Sequence, residues 1–523
     1  MNTREIISRF DQAQSDKEVW NAVYRAVFRM TMPNRDSFYM DENIPNTWEN
    51  VRLLTTVGVA GADTFATRGQ RICSDDGEKF VQLSLANWYE SSPEINDMLG
   101  FHQDLINYML RPNMSAIYEC WSDLVAGTAV YYKSFNRLTN KFSIVPIPIK
   151  DVALTKAFDG STDGYYRKLK MRREEIPGAF PELQGQALIG GIPITKDNAR
   201  EVVELKECTI FNYEDNKWHY VVILDQEKIV ERIADLCDMG ALFWTRRPGA
   251  VYGIGVGLKA LPELNQLNAL KYYGTFGLMF RAAPMFLASQ EAMLDYDRLE
   301  MKPMEIIEVP STSRDNPSLA PLQTGDDPNV VQWNMAQMEM NIKEIMTSDT
   351  VPNQTNQKLS ATEIAYRANR LDVNTNNIQM VALQFMSDCV VWLLNACKNV
   401  KGFYPDNFDI NSYINAIEIS LASSVARNAS DIQAQATMID MFNAAVPDGS
   451  LTRAALNIPV YANSVKNLLK IDAPIIYDAD TIQQNLNQIA QAAQNAAIAK
   501  ERAVLAREVA AEQAKQQITG NVQ

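Results

Sequence analysis

Apolar or small residues recur in alternating steps of four and three from Ile364 through Ala368, Leu371, Ile378, Ala382, Phe385, Cys389 and Trp392 to Ala396, with one break at Thr375. This spacing predicts an amphipathic helix of about 36 residues closing near Gly402. Its start is marked by Leu359-Ser360-Ala361-Thr362-Glu363-Ile364. There Ser360 caps the chain, Glu363 returns a bond to the Ser360 amide, and Leu359 and Ile364 form a hydrophobic staple. A coiled coil is the alternative, weakened by the polar break and by scarce flanking charge.

The same reading gives a helix over Glu18–Met30, with Trp20, Val23, Tyr24, Val27 and Phe28 on one face and Pro33 as the stop. Ile117–Phe135 reads as a helix passing through Gly127 into an apolar strand, and Phe142–Asp151 as a strand whose prolines suit a sheet edge. Val152–Arg173 reads as two strands around an Asp159–Gly164 turn, and Val202–Val230 as further strands. Gly253, Gly255 and Gly257 precede a helix with leucines at Leu261, Leu264, Leu267 and Leu270, expected to begin at or just before Pro262. Met285–Asn329 is rich in Pro, Asp and Ser, with a strand candidate at Ile306–Val309. A methionine-dense helix follows over about Val330–Met346. Ser348–Lys358 is polar and proline-broken, and Thr481–Thr519 is an Ala- and Gln-rich helix with only a shallow apolar stripe.

Length and composition narrow the class. A chain of 523 residues is expected to form three or four domains, and 46% hydrophobic with 21% charged residues is ordinary for a globular protein. A net charge of −14 argues against gripping nucleic acid by bulk charge, yet it suits a wall along which phosphates must slide. Six cysteines without a C-x-x-C pair, and only two histidines, make zinc clusters unlike this chain and point to reduced, buried thiols. No signal peptide is visible, and no run of about 18 uncharged apolar residues suggests a membrane span.

Candidate chemistry is thin. Gly253-x-Gly255-x-Gly257 lacks both the G-x-G-x-x-G pattern and a G-K-[ST] ending, so a turn before a helix is preferred to a phosphate cradle. Asp159, Ser161, Asp163 and Gly164 imitate the front of a calcium loop, but Lys170 stands where a bidentate Glu is needed, and a hairpin is preferred. Asp75-Asp76 and Asp295-x-Asp297 are paired carboxylates without the context that activates water or holds a metal. Arg167–Arg173 is the nearest approach to a basic stripe, and acidic residues follow it. Catalytic, metal-binding and cofactor residues are therefore not expected.

Several of these segments, in this order, resemble the portal (head-to-tail connector) proteins of short-tailed, podovirus-type bacteriophages. They are the Trp20 helix closing on MPNRDSF, the Asp159 hairpin, the YGIGVGLKALPELNQLNALKYYGTFGLMFRAAPMFL block over 252–287, the insertion after it, the Ser360 helix and the helical tail. The resemblance implies an α+β portal-type ring subunit with a mixed α/β wing, a helical stem, a small α/β clip and an α-helical crown. Residues 1–250 and 360–445 would form the wing, 251–283 and 330–347 the two stem helices, 284–329 the clip and 446–523 the crown. Residues 348–359 would form the tunnel loop, with Val351, Pro352, Asn353, Gln354, Thr355, Asn356, Gln357 and Lys358 lining a DNA channel. It further implies a dodecameric ring at one capsid vertex, a channel for genome packaging and ejection, and a platform for the terminase large subunit and the head-tail adaptor or tail proteins. Major capsid and scaffolding proteins and double-stranded DNA, held non-specifically, would be the other partners. The protein would be made in the host cytoplasm and carried in the virion, without a membrane partner. A metal- or nucleotide-dependent enzyme, or another virion adaptor, is the alternative.

Overall fold

Apolar side chains buried on both faces explain the largest sheet of the computed structural model. Its strands are β4 (Val152–Lys156), β5 (Thr162–Arg172), β8 (Val202–Asn212), β9 (Lys217–Leu224) and β10 (Glu227–Ala234), antiparallel in the order β10-β9-β8-β5-β4. On one face Val203, Leu205, Tyr220, Val222 and Leu224 pack with Ile176, Phe180 and Leu183, from the short α5 (Ile176–Ala179) and the turn after it. On the other, Cys208, Ile210, Val221 and Ile223 pack with Ile6, Phe10 and Ala13 of α1 (Thr3–Thr31). Because side chains of a strand point alternately to opposite faces, neighbouring residues of β8 and β9 serve two different cores.

The structure describes residues 2–33, 53–74, 79–86, 88–89, 93–136, 139–183, 188–189, 192–193, 198–282, 286–288, 319–321, 328–346, 361–400, 402–405 and 408–421. The chain divides into two compact units, Met1–Ala422 and Ser423–Gln523, where length suggested three or four; the second unit lies outside the described residues. The helical tail over Thr481–Thr519 and the strand candidate Ile306–Val309 lie outside them as well.

In the first unit the main core gathers helices around a second sheet, β11 (Met239–Phe243), β2 (Thr128–Asn136) and β3 (Lys141–Ile147), ordered β11-β2-β3. The expected edge strand is β3, with Pro146 opposite Tyr131. At its centre stands α2 (Val57–Cys73), which touches α1, α4 (Met114–Leu124), α6 (Val256–Ala282), α7 (Pro328–Ile345) and α8 (Ala361–Ala396). Its glycines explain how so many helices fit: a Cβ at Gly58 would meet Met30 and Leu264, one at Gly61 would meet Met346, and one at Gly69 would enter the Trp121 ring. Around this core, α3 (Pro93–Leu110) lies beside β1 (Val81–Leu85). β1 pairs antiparallel with the distant β14 (Ile417–Leu421), which follows α9 (Ile410–Ala416). Two short ribbons complete the set: β6 (Leu188–Ile189) with β7 (Ile192–Pro193), and β12 (Phe286–Ala288) with β13 (Leu319–Pro321).

The described part is thus mixed helix and antiparallel sheet, as the α+β expectation has it. Several boundaries differ from the sequence reading. The first helix begins at Thr3, well before Glu18. Its early half has only a narrow apolar edge, yet that edge packs on the five-stranded sheet, and Lys17 is buried with its Nζ donating to the Lys150 carbonyl at 2.6 Å. Burial lowers the Lys17 ammonium to about 7, with Asp151 opposing that shift. α6 begins at Val256 and runs through Pro262 rather than starting at it. Val256, Ala260, Leu264 and Leu267 are all buried along one face while Pro262 is exposed, and that burial offsets the roughly 3 kcal/mol a helix-interior proline costs. The hairpin turn is tighter than Asp159–Gly164: Gly160 takes the positive φ of +88°, and Gly164 lies inside β5. α8 spans 36 residues as its spacing predicts, while its capping pair Ser360 and Glu363 lies outside the residues whose side chains are described. It is a core helix rather than a coiled coil, since it packs on α2, β2, β11 and β14. Its Asn377–Ala396 segment, interrupted by Asp388, is on length and a mean hydropathy of 1.3 apolar enough to cross a membrane. Here 56% of it is buried inside the fold.

Candidate functional site

The glycine block is where the sequence offered a phosphate cradle, and here its backbone amides are already engaged. Gly253 N–H donates to Thr128 Oγ1 at 2.9 Å, Ile254 N–H to the Thr245 carbonyl at 2.7 Å and Gly257 N–H to the Val125 carbonyl at 2.9 Å. Gly255 N–H reaches the Ala126 carbonyl at 3.3 Å. Gly253, Gly255 and Gly257 are buried, and Gly127, at φ +123°, lies so close that its Cβ would stand 2.4 Å from the Gly253 oxygen. The block is therefore a backbone-to-backbone junction that fixes where α6 leaves the core. Trp20 and Tyr24 cover it, with ring centroids 5.5 and 6.2 Å from Tyr252.

From that junction α6 and α7 run antiparallel. Leu264 and Met346 lie against neighbouring turns of α2, at Gly58 and Gly61. Further out Lys271 pairs with Glu339 at 2.8 Å, and beyond the helices Phe286 faces Pro321 in the β12–β13 ribbon. Among the described residues, no side chain is fully buried over 268–275 or over 332–341. Tyr273 and Trp333 are 69% and 67% exposed, and Met340 is exposed with them. Two such helices alone are marginal in water, because propensity does not hold a helix without a packed apolar face.

The expected channel residues Val351, Pro352, Asn353, Gln354, Thr355, Asn356, Gln357 and Lys358 lie outside the described residues, between α7 and α8. Their two anchors are described. Ile342 and Met346 are buried at the end of α7, and Ile378, Ala382, Phe385, Cys389 and Leu393 bury one face of α8 in the same core.

The remaining sequence candidates resolve as turns and ion pairs. Asp159 Oδ1 accepts from the Ser161 amide at 2.8 Å and from Ser161 Oγ at 2.7 Å, bonds that hold its carboxyl below the usual range. Asp163 accepts instead from Thr155 Oγ1 at 2.7 Å and Tyr213 Oη at 3.0 Å, so the two carboxylates serve a hairpin. Arg167 and Arg173 pair with Glu207 and Glu201, each at 3.3 Å. Asp75-Asp76 and Asp295-x-Asp297 lie outside the described residues, and among the described residues no three His, Cys, Asp or Glu side chains are grouped as for a metal. The cysteines are free, five of them buried. Burial raises the thiols of Cys73, Cys208, Cys237, Cys389 and Cys397, that of Cys73 to about 12, which makes these five inert packing groups.

Sequence reasoning missed two features. A cleft of about 400 Å³ opens between β11 and α8, lined by Tyr131, Trp218, Arg246, Asp388, Val391 and Trp392 among others. Inside it Lys133, only 1% exposed, pairs with Asp388 at 2.7 Å, and Tyr131 Oη donates to the same carboxylate at 2.5 Å. The second feature is His102, fully buried on α3, whose two ring nitrogens lie 2.9 Å from the Phe403 carbonyl and 3.1 Å from Tyr413 Oη. A carbonyl only accepts, so Nε2 carries the proton and Nδ1 accepts from the tyrosine. The ring stacks on Phe403, with centroids 4.4 Å apart. Desolvation holds His102 below its ordinary pKa, opposed by the Phe403 bond. The folded protein therefore keeps it neutral while the unfolded chain protonates near pH 6.5. Its contribution is complete above that pH and is lost as pH falls towards the lower folded value. Chemical denaturation between pH 7.5 and 5 should show stability falling with pH, with a shallower slope in His102→Gln. An unchanged slope in the variant would remove His102 from the account.

Residues 3–372 match the family model of the bacteriophage head to tail connecting protein. A search of curated proteins finds no match to the sequence. The match takes in the glycine junction, the α6–α7 hairpin and the segment between α7 and α8, and by it the chain belongs to the bacteriophage head to tail connecting proteins, the portal proteins of the virion.

Proposed function

We propose that the chain is one subunit of a closed, dodecameric ring at a single capsid vertex, the channel through which DNA enters during packaging and leaves on ejection. The connector family places the protein between capsid and tail; the ring, the channel and the named partners go beyond that. The carrying observation is the outer stretch of the α6–α7 hairpin, where no described side chain over 268–275 or 332–341 is fully buried and the exposed Tyr273, Trp333 and Met340 would be covered by equivalent hairpins of neighbouring copies.

In this reading 251–283 and 330–347 are the stem, and 284–329, its base closed by the β12–β13 ribbon, is the clip that meets the terminase large subunit and later the adaptor or tail proteins. Residues 1–250 and 360–445 form the wing facing major capsid and scaffolding proteins, and 446–523 the crown. Residues Val351–Lys358, between two anchored helices, are the tunnel loop that touches DNA without sequence preference. The net charge of −14 suits a wall that phosphates do not grip.

The test is assembly of a stem variant. Tyr273→Glu with Trp333→Glu should leave the fold intact, because both side chains are exposed in the single subunit, and should convert a closed oligomer into monomers by light scattering. A double variant that assembles like the parent would mean that the stem is not the ring contact.

A further inference from the structure

One exposed face of α3 has a composition that the subunit itself does not explain. Asp97, Phe101, Asp104 and Tyr108 follow steps of four and three, with Gly100 beside Phe101, and all five are exposed, Phe101 by 53% and Tyr108 by 69%. Gly100 is the telling residue. It sits mid-helix, where glycine costs roughly 0.5–1 kcal/mol relative to alanine, and a Cβ there would meet nothing within 4 Å. Neither a turn, a positive φ nor a neighbour among the described residues requires it. A glycine between exposed aromatics leaves room for close approach by another chain. Behind this face the packing is rigid: Phe101 abuts His102, which is ringed by Phe403, Tyr404 and Tyr413.

The cleft between β11 and α8 has the opposite character. Lys133 and Asp388 answer each other, whereas Arg246 has no carboxylate partner among the described residues. Its Nε donates to the Ala250 carbonyl at 2.7 Å, and its buried Nη2 has no hydrogen-bond partner. Trp218, Val391 and Trp392 give the cleft apolar walls, and Met380 and Leu383 lie exposed earlier on α8. Position matters as well. α3 packs against β3, at one edge of the three-stranded sheet, while the cleft is built on β11 at the other edge. A ring requires two different, complementary patches on each subunit, facing its two neighbours.

We propose that the Asp97–Tyr108 face of α3 docks into the β11–α8 cleft of the adjacent copy, Phe101 and Tyr108 entering the apolar cleft and Asp104 or Asp97 meeting Arg246. This contact rests on the ring reading and adds to it a second interface, independent of the stem.

The test uses the full chain, with light scattering over a concentration series and circular-dichroism melting of the monomer fraction as the folding control. Asp104→Arg and Arg246→Asp should each weaken association by about tenfold or more, and the double swap should recover most of the loss. Gly100→Leu should leave the monomer melting temperature unchanged or raised while weakening association, a split that a purely structural glycine would not give. If the parent forms closed oligomers and these variants assemble equally well, this interface is wrong and the ring reading stands. If Asp104→Arg and Arg246→Asp weaken association but the double swap recovers nothing, the pairing of these two patches is wrong. If the parent stays monomeric throughout, the ring reading fails and takes this interface with it.

Discussion

Gly127→Ala is expected to remove about 3–5 kcal/mol of stability, combining strain in a backbone region closed to side chains with overpacking of a junction that cannot yield. The added Cβ would lie 2.4 Å from the Gly253 oxygen and 2.5 Å from the Gly255 nitrogen, at φ +123°. Neither obstacle is a flexible side-chain end. Gly255→Ala should behave alike, its Cβ falling 2.1 Å from the Val125 oxygen. Since domains hold only about 5–15 kcal/mol in total, either change should cut soluble yield sharply and lower the melting temperature. Gly178→Ala is the matched control: its Cβ meets nothing within 4 Å, and its effect should stay within about 1 kcal/mol. A Gly127→Ala protein that melts like the parent would contradict the junction described here.

The second large effect concerns the loop between α7 and α8. If Val351–Lys358 lines a channel, its contacts with DNA are generic and weak, because tight phosphate binding would stall a sliding duplex. Deleting Pro352–Gln357 should leave ring assembly intact and impair completion or retention of packaging, since Ile342 and Met346 on one side and Ile378 onward on the other hold the anchors without the loop. Lysines at Asn353 and Asn356 should make DNA passage slower and more salt-sensitive, as each new phosphate contact steepens the dependence on salt. Packaging in extracts across a salt series reads both effects. Should neither change alter packaging while both disrupt the oligomer, the loop is a subunit contact and not a channel lining.

Much of the fold was legible where one physical signal dominated. The α8 helix follows from its four-and-three spacing, and its length of 36 residues agrees. The Val152–Arg173 hairpin and the edge strand with Pro146 follow from turn chemistry and from a proline's missing donor. Elements held by tertiary packing were not legible. α2 carries Gly58, Gly61 and Gly69, residues that weaken a helix locally, and only the close approach of Met30, Met346 and Trp121 reveals why they are there. α6 begins ahead of Pro262 because four buried residues outweigh one proline. The pairing of β1 with β14 joins Val81 to Leu421, a separation that no local pattern encodes. The candidate site divides the same way: the family was readable from motifs, while the cleft at Arg246 and the buried His102 exist only once distant segments meet.

The most direct test of the connector account is electron-microscope imaging of the purified full chain in negative stain. The account predicts rings of uniform size with a central hole wide enough for duplex DNA. Compact monomers, or closed particles without a hole, at concentrations where the chain is fully folded would contradict it.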